Sequence, residues 1–201
     1  MYEHLACLHH AASNIFPHRQ VELLKTADAQ FNEALKREGE GHGAGLFIDY
    51  AHFLCTCNRY EDAIPHIMRV ISSEKDEPES VNYYGKMESY TVDKYLQKEI
   101  ATYGGVELLS VAFAYYLLVD CYTATKKTSE VENALEGFEN LCEKCQDPKA
   151  FNLLGYTYLK IGDKEKSTNA FSRAQKDSSN KIAKQYLPKN SSKKGKNGSK
   201  K

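Results

Sequence analysis

The stretch that decides the fold is FNLLGYTYLKIGDKEKSTNAFSRA, which runs from Phe151 to Ala174. Apolar residues recur at helical spacing on both sides of its Gly162-Asp163 pair. Glycine readily takes the left-handed conformation that ends a helix, and aspartate is a good N-cap for the next one. The stretch therefore predicts a helix, a tight turn and a second helix.

A glycine inside the first predicted helix, Gly155, calls for a packing reason because glycine has poor helix propensity. Its missing side chain lets the second helix approach, and Phe171 and Ala174 place one large and one small side chain on the returning face. The spacing F-x2-L-G-x2-Y, followed by F-x2-A, matches the tetratricopeptide pattern, with Phe151 where Trp is commonest. Ser167 departs from the usual Ala.

Copies of this pattern recur upstream. In the segment from Leu46 to Ile71, Ala63 takes the alanine position of the second helix, and Pro65 lies in the first turn or so, where its missing donor costs least. The segment from His18 to Arg37 keeps only second-helix spacing. Positions late in the second helices are separated by 36, 68 and 36 residues, close to multiples of a 34-residue repeat. They are Ala34, Val70, Phe138 and Ala174.

The segment from His18 to Arg37 is the partial first unit, Leu46 to Ile71 is the second and Phe151 to Ala174 lies in the fifth. The third and fourth units between them are predicted only from the register of the repeat. Val81, Tyr84 and Gly85 take first-helix positions in the third unit, and a short helix over residues 94–103 completes it before Gly104-Gly105. Residues 106–124 form one long apolar predicted helix. The second helix of the fourth unit has two alternatives, a register on Val131, Leu135 and Phe138 or one on Ala134 and Phe138 after a longer turn.

The chain resembles the tetratricopeptide repeat family over about residues 46–187. The resemblance implies an all-α solenoid of antiparallel helix pairs, whose first helices line a concave groove that typically binds peptides or a partner's helix. We expect residues 1–45 to hold a partial N-terminal helical repeat and a Gly-rich link. Residues 46–187 would hold the repeats with a C-terminal capping helix, and residues 188–201 a disordered basic tail.

The resemblance predicts which residues on the first helices of units two to five face the groove. They are His52, Asn82, Lys86, Phe113, Tyr116, Asp120, Lys149, Asn152 and Tyr156, with Ile48, Cys55 and Tyr90 at neighbouring positions. A subset of the family grips C-terminal carboxylates with Lys, Asn and Arg from three adjacent repeats. Only fragments of that set occur here, in non-adjacent units, so a partner segment with apolar or aromatic anchors is favoured.

The sequence contains no pattern that supports a catalytic or metal-binding function. Cys142-x2-Cys145 has a spacing used for zinc and redox chemistry, but its only candidate second ligand pair, Cys55 and Cys57 with His52, lies two repeats away. Structural cysteines are therefore favoured. No HExxH motif, Ser/His/Asp pattern or paired-carboxylate site is present either. The expected function is a non-enzymatic protein-interaction module with no cofactor and no small-molecule substrate.

Charge divides the chain into an acidic body and a basic end. The net charge is zero over 201 residues, yet eight Lys and no acidic residue follow from Lys181 onward, which leaves a net charge of −8 on residues 1–180. A polybasic arm could bind RNA or an acidic protein, and RNA association is the alternative function. No apolar run approaches the roughly twenty residues that a membrane-spanning helix needs, and no export signal is evident, so we expect no membrane insertion and a cytoplasmic or nuclear location.

Overall fold

The structure is a computed structural model that describes residues 2–37, 43–74, 78 and 80–188. Helices dominate, and two short strands interrupt them. The helices are α1 (Tyr2–Ile15), α2 (Gln20–Arg37), α3 (Ala44–Thr56), α4 (Tyr60–Glu74), α5 (Lys94–Tyr103), α6 (Ser110–Ala124), α7 (Thr128–Cys145), α8 (Pro148–Ile161), α9 (Lys164–Ala174) and α10 (Ala183–Tyr186). The strands are β1 (Val81–Tyr84) and β2 (Val106–Leu109).

The helices pack as consecutive pairs, α1 with α2, α3 with α4, α6 with α7 and α8 with α9. The first helices of these pairs also touch their neighbours in the order α1, α3, α6, α8, and this row is called the inner wall below. The predicted all-α array of antiparallel helix pairs is confirmed. In the described part of the chain, no helix combines the length and apolarity needed to cross a bilayer.

The helix-ending glycine, the N-cap and the close helix contact predicted for the last pair are present. Gly162 ends α8 with φ 88°, and the Asp163 carboxylate caps α9 by accepting a hydrogen bond from the Lys166 amide at 2.9 Å. A Cβ atom on Gly155 would lie 2.7 Å from Cζ of Phe171, closer than side chains approach. The glycine is therefore required by the packing of α9 on α8.

The third unit departs from the prediction. Val81 and Tyr84 were expected on a first helix, but they belong to β1, which pairs antiparallel with β2 so that Tyr84 lies opposite Val106. Helix α6 correspondingly begins at Ser110 rather than Val106. The reason is the two-residue alternation of VNYY, whose second and fourth side chains are buried and whose first and third are exposed. The predicted helix over residues 94–103 is confirmed as α5.

Residues 80–109, called the insert below, carry β1, α5 and β2 and lie against the inner wall. Near α3 and α6, the Tyr84 ring meets the rings of His52 and Phe113 at centroid distances of 5.8 and 5.2 Å. Near α8, Tyr95 stacks on Tyr156 at 5.0 Å. The insert therefore occupies much of the hollow that the solenoid prediction left free.

The short helix α10 packs against the last pair. Tyr186 of α10 stacks on Phe171 at 4.6 Å, so this short helix covers the end of the core. In α7, Ala134 and Phe138 are buried while Val131 and Leu135 are half-buried, which favours the second of the two predicted registers. Residues 40–42 of the Gly-rich link and residues 189–201 lie outside the described residues, and Ala44 and Gly45 of the link begin α3.

Candidate functional site

The candidate site is the inner wall with the insert on it, and three polar clusters join the two. The first is centred on Asp49 of α3, whose Oδ1 accepts hydrogen bonds from Asn82 Nδ2 at 3.1 Å and from the Tyr84 hydroxyl at 2.9 Å. The Ser110 hydroxyl donates to Asn82 Oδ1 at 2.6 Å, which extends the cluster to the start of α6. One carboxylate therefore holds β1 to the wall.

The second cluster lies between α5, α6 and α8. Lys160 Nζ lies 2.7 Å from both Asp93 Oδ2 and Asp120 Oδ2, and 3.8 Å from the centre of the Tyr116 ring. The Tyr116 hydroxyl also donates to Asp93 Oδ2. Asp93 additionally caps α5 by accepting from the amides of Tyr95 and Leu96. The start of α5 is thus fixed to two inner-wall helices.

The third cluster is centred on Glu99 of α5, which is 2 % exposed. Its Oε1 accepts hydrogen bonds from Asn152 Nδ2 at 3.0 Å and from the Tyr156 hydroxyl at 2.6 Å. Asn152 and Asn180 also exchange side-chain hydrogen bonds, which brings in the segment after α9. The three clusters together explain how polar groups of the insert are satisfied on a largely apolar wall.

The carboxylates of these clusters differ in their proton affinity. Burial raises the pKa of Asp49 to about 7, although hydrogen bonds from Tyr84, Cys7 and Asn82 oppose the rise. Burial also raises the pKa of Glu99, against the hydrogen bonds from Tyr156 and Asn152. For Asp93, burial is outweighed by the Lys160 ammonium and by hydrogen bonds, so its pKa is lowered and the group stays ionised.

An open cleft remains between α3, α6 and the N-terminal part of α5, and it is called the Asp93 cleft below. Its volume is about 410 Å³. Its walls combine apolar side chains with the two carboxylates that Lys160 bridges. The lining residues include His52, Cys55, Tyr60, Asp93, Leu96, Phe113, Tyr116, Leu117, Asp120 and Thr123.

A second opening lies between the strands, the C-terminal part of α5 and the segment after α9, and it is called the Glu99 pocket below. Its volume is about 310 Å³. Three carboxyl side chains and two tyrosines line it, together with Lys149 and Asn152. The carboxyl groups belong to Glu99, Glu107 and Asp177, and the tyrosines are Tyr83 and Tyr103.

The structure distributes the residues expected in the groove over these features. His52, Phe113, Tyr116 and Asp120 line the Asp93 cleft, and Lys149 and Asn152 line the Glu99 pocket. Six of the nine are buried against the chain itself; Lys86 is exposed, while Asp120 and Lys149 are partly exposed. The buried residues are His52, Asn82, Phe113, Tyr116, Asn152 and Tyr156.

The residues that organise the site include several that sequence reasoning missed, namely Asp49, Asp93 as a cluster member, Glu99 and Lys160. A signal was present for Asp49, since it is the single charge in the apolar run LFIDYAHFLC. A lone buried carboxylate requires partners, but the sequence does not say that the partners lie more than thirty residues away on a strand.

Burial shifts the pKa values of several histidines and cysteines of the helix array. Burial lowers the pKa of His10 to about 3 and of His52 to about 4, and burial raises the pKa of Cys142. Cys55 Sγ faces Cys121 Sγ at 3.4 Å, with the thiol hydrogen bond between them and burial raising the pKa of Cys55. Within residues 2–37, 43–74 and 80–188, no group of His, Cys, Asp and Glu side chains could hold a metal ion.

Comparison with known proteins finds no match by sequence. No protein-family model matches the chain, and no curated protein matches it. Among solved structures, a similar chain is described as "MamA MSR-1 C2", at 13 % sequence identity. That similarity covers 85 % of this chain and 95 % of the other, with a TM-score of 0.25.

Proposed function

We propose that the chain is a non-enzymatic protein-interaction module that receives a short partner segment in the Asp93 cleft. The observation that carries this proposal is the cleft itself, which stays open on the inner wall where the insert does not cover it. Stacked helix pairs supply a preformed surface, so little ordering entropy is lost when a segment binds.

The lining of the cleft defines the chemistry of the segment. Phe113 and Leu117 supply apolar surface for an aliphatic or aromatic anchor. Asp93 and Asp120 stand beside this surface, where both carboxyl groups contact the single ammonium of Lys160. The fitting segment therefore combines an apolar anchor with a neighbouring hydrogen-bond donor or cation.

The insert limits the length of the bound segment. Helix α5 lies where a longer ligand would follow the inner wall towards α8, and the stacking of Tyr95 on Tyr156 closes that path. A ligand that enters the Asp93 cleft must therefore end or turn away near Leu96, unless the insert is displaced. We infer recognition of a few residues rather than of a whole helix.

The test is a selection of binding peptides from a random-peptide phage library against the purified chain, followed by affinity measurement. Thr123 is exposed and lines the cleft, so Thr123→Arg should block the site without disturbing the core. Thr128→Arg is the matched control, because Thr128 is exposed at the start of α7 outside the cleft lining. We expect selected peptides to lose binding to Thr123→Arg and to keep it to Thr128→Arg; equal binding to both variants would reject the cleft.

RNA association through the C-terminal lysines is the alternative function, and the eight Lys without an acidic residue after position 180 favour it. Such binding is electrostatic, so its affinity should fall steeply as salt rises. Titration of labelled RNA at increasing salt, with the native chain and with the last six lysines changed to Gln, tests it. A salt-steep affinity that disappears in the Gln variant supports this alternative, and an affinity unchanged by the substitutions rejects it.

A further inference from the structure

The Glu99 pocket contains a buried carboxylate with one oxygen in use and one oxygen free. Both hydrogen bonds described above, from Asn152 and from Tyr156, end on Oε1. Among the described residues, no group donates to Oε2, although that oxygen is not sealed from solvent. Glu99 lines the pocket while the residue as a whole is 2 % exposed, and since Oε1 carries both hydrogen bonds, Oε2 is the oxygen left for a ligand in the cavity.

Other charges around the pocket strengthen its negative character. Glu107 and Asp177 add two carboxyl groups to the lining, and Lys149 is the cation among the lining residues. Lys149 Nζ lies 3.7 Å from Glu107 Oε2, so it is paired there. Hydrogen bonds from Ser179 lower the pKa of Asp177, which keeps this group ionised. The pocket therefore holds more negative than positive charge.

Aromatic rings form part of the same lining. Tyr83 projects from β1 and Tyr103 from the last turn of α5. The ring of Tyr83 lies against Gly105, where a Cβ atom would stand 2.6 Å from Tyr83 Cζ. The Tyr103 hydroxyl accepts hydrogen bonds from the amides of Lys181 and Ile182, which fixes that ring in place. Because Gly105 has no Cβ atom, the Tyr83 ring can lie against it and form one side of the pocket.

We propose that the Glu99 pocket binds the side-chain ammonium or guanidinium group of a lysine- or arginine-containing peptide. A buried carboxylate oxygen supplies a charge-assisted hydrogen bond, and tyrosine faces attract cations through their quadrupoles. The cation can come from two sources, the chain's own C-terminal lysines from Lys189 onward or a separate protein. This site is distinct from the Asp93 cleft and does not depend on the function proposed for it.

The test measures fluorescence anisotropy of a fluorescein-labelled pentalysine peptide titrated with the full chain. Two forms are compared, the native chain and a chain in which the six lysines from Lys189 to Lys201 are changed to Gln. In the second form we expect Glu99→Gln to weaken binding about tenfold, as loss of a charge-assisted hydrogen bond predicts. The amide oxygen of the glutamine can still accept from Tyr156 and Asn152.

Matched controls separate the pocket from general attraction to an acidic protein. Glu132→Gln removes the same charge from an exposed position of α7 and should leave the affinity nearly unchanged. Tyr83→Ala alters only an exposed wall residue and should weaken binding about threefold. Tyr90→Ala, at an exposed tyrosine of the insert outside this pocket, should have no effect.

The outcomes are distinguishable. Weaker probe binding by the native chain than by the Gln-tail chain, with a difference that Glu99→Gln abolishes, identifies the chain's own lysines as the ligand. Equal binding, or a difference that persists in Glu99→Gln, identifies an external cation. Equal losses in Glu99→Gln and Glu132→Gln, or absence of probe binding to the Gln-tail chain, would overturn the proposal. Thr123→Arg should leave probe binding unchanged, so failure of the Asp93 cleft experiment would not decide this one.

Discussion

The Tyr84 hydroxyl of β1 donates a 2.9 Å hydrogen bond to Asp49 Oδ1 on α3, and this contact joins the insert to the inner wall. The two residues are 35 positions apart in the chain. On the neighbouring position of the strand, Tyr83 points away and is 63 % exposed, whereas Tyr84 is 4 % exposed. The insert therefore has one face that belongs to the core and one that meets solvent.

We predict that Tyr84→Phe lowers the free energy of unfolding by about 1–3 kcal/mol, because a buried carboxylate loses a hydrogen-bond donor. Tyr83→Phe removes the same hydroxyl from the exposed face and should change the free energy by less than about 0.5 kcal/mol. Urea denaturation of both variants measures the difference. Equal effects at the two positions would contradict the orientation of β1.

Asp49 should make stability depend on pH. Its folded-state pKa of about 7 lies above the ordinary value of 3.8, so the folded state holds the proton more tightly than the unfolded chain. The resulting stabilisation is complete below pH 3.8 and is lost as pH rises through 7.

The corresponding variant is Asp49→Asn, which keeps an acceptor oxygen and removes the titration. Between pH 5 and pH 8, we expect the stability of Asp49→Asn relative to wild type to increase by on the order of 2 kcal/mol. Urea denaturation at both pH values measures this, with Glu132→Gln as an exposed control whose difference should not change. A constant difference for Asp49→Asn would show that Asp49 is not buried beneath the insert.

The space around Gly155 in α8 and around Gly45 in α3 predicts opposite effects of a Gly→Ala substitution on stability. Gly155→Ala forces a Cβ against the Phe171 ring and should destabilise the chain by about 1–2 kcal/mol after its gain in helix propensity. At Gly45 in α3 the nearest atoms would lie at 3.8 and 3.9 Å, so Gly45→Ala should stabilise by up to about 1 kcal/mol. Thermal denaturation of the pair checks the signs, and a stabilised Gly155→Ala would contradict the packing.

How far the sequence predicts this structure depends on how local the determinants are. The pair α8 and α9 follows from Gly155, Gly162 and Asp163, which act on helices adjacent in the chain. Helix α5 is also predictable, because Asp93 caps its start and Gly104 ends it with φ 85°. These signals lie within a few residues of the feature that they specify.

The insert could not be predicted in the same way. Its strands pair residues about 25 positions apart, and its attachment joins Glu99 to Tyr156 across 57 positions. Considered locally, Val81 and Tyr84 fit the first-helix positions of the repeat as well as the alternation of a strand, so the local sequence does not decide between helix and strand. The register does place Phe113, Tyr116 and Tyr156 on the inner wall, but only the structure shows that the chain's own segment covers them.

The insert occupies the inner wall of the helix array, and its position there can be measured. The most direct measurement is a nuclear Overhauser spectrum of the native chain with assigned aromatic protons. Tyr84 and Phe113 have ring centroids 5.2 Å apart, so cross-peaks between their ring protons are predicted. Absence of these cross-peaks, with Tyr84 ring protons at the chemical shifts of an exposed tyrosine, would contradict this position of the insert.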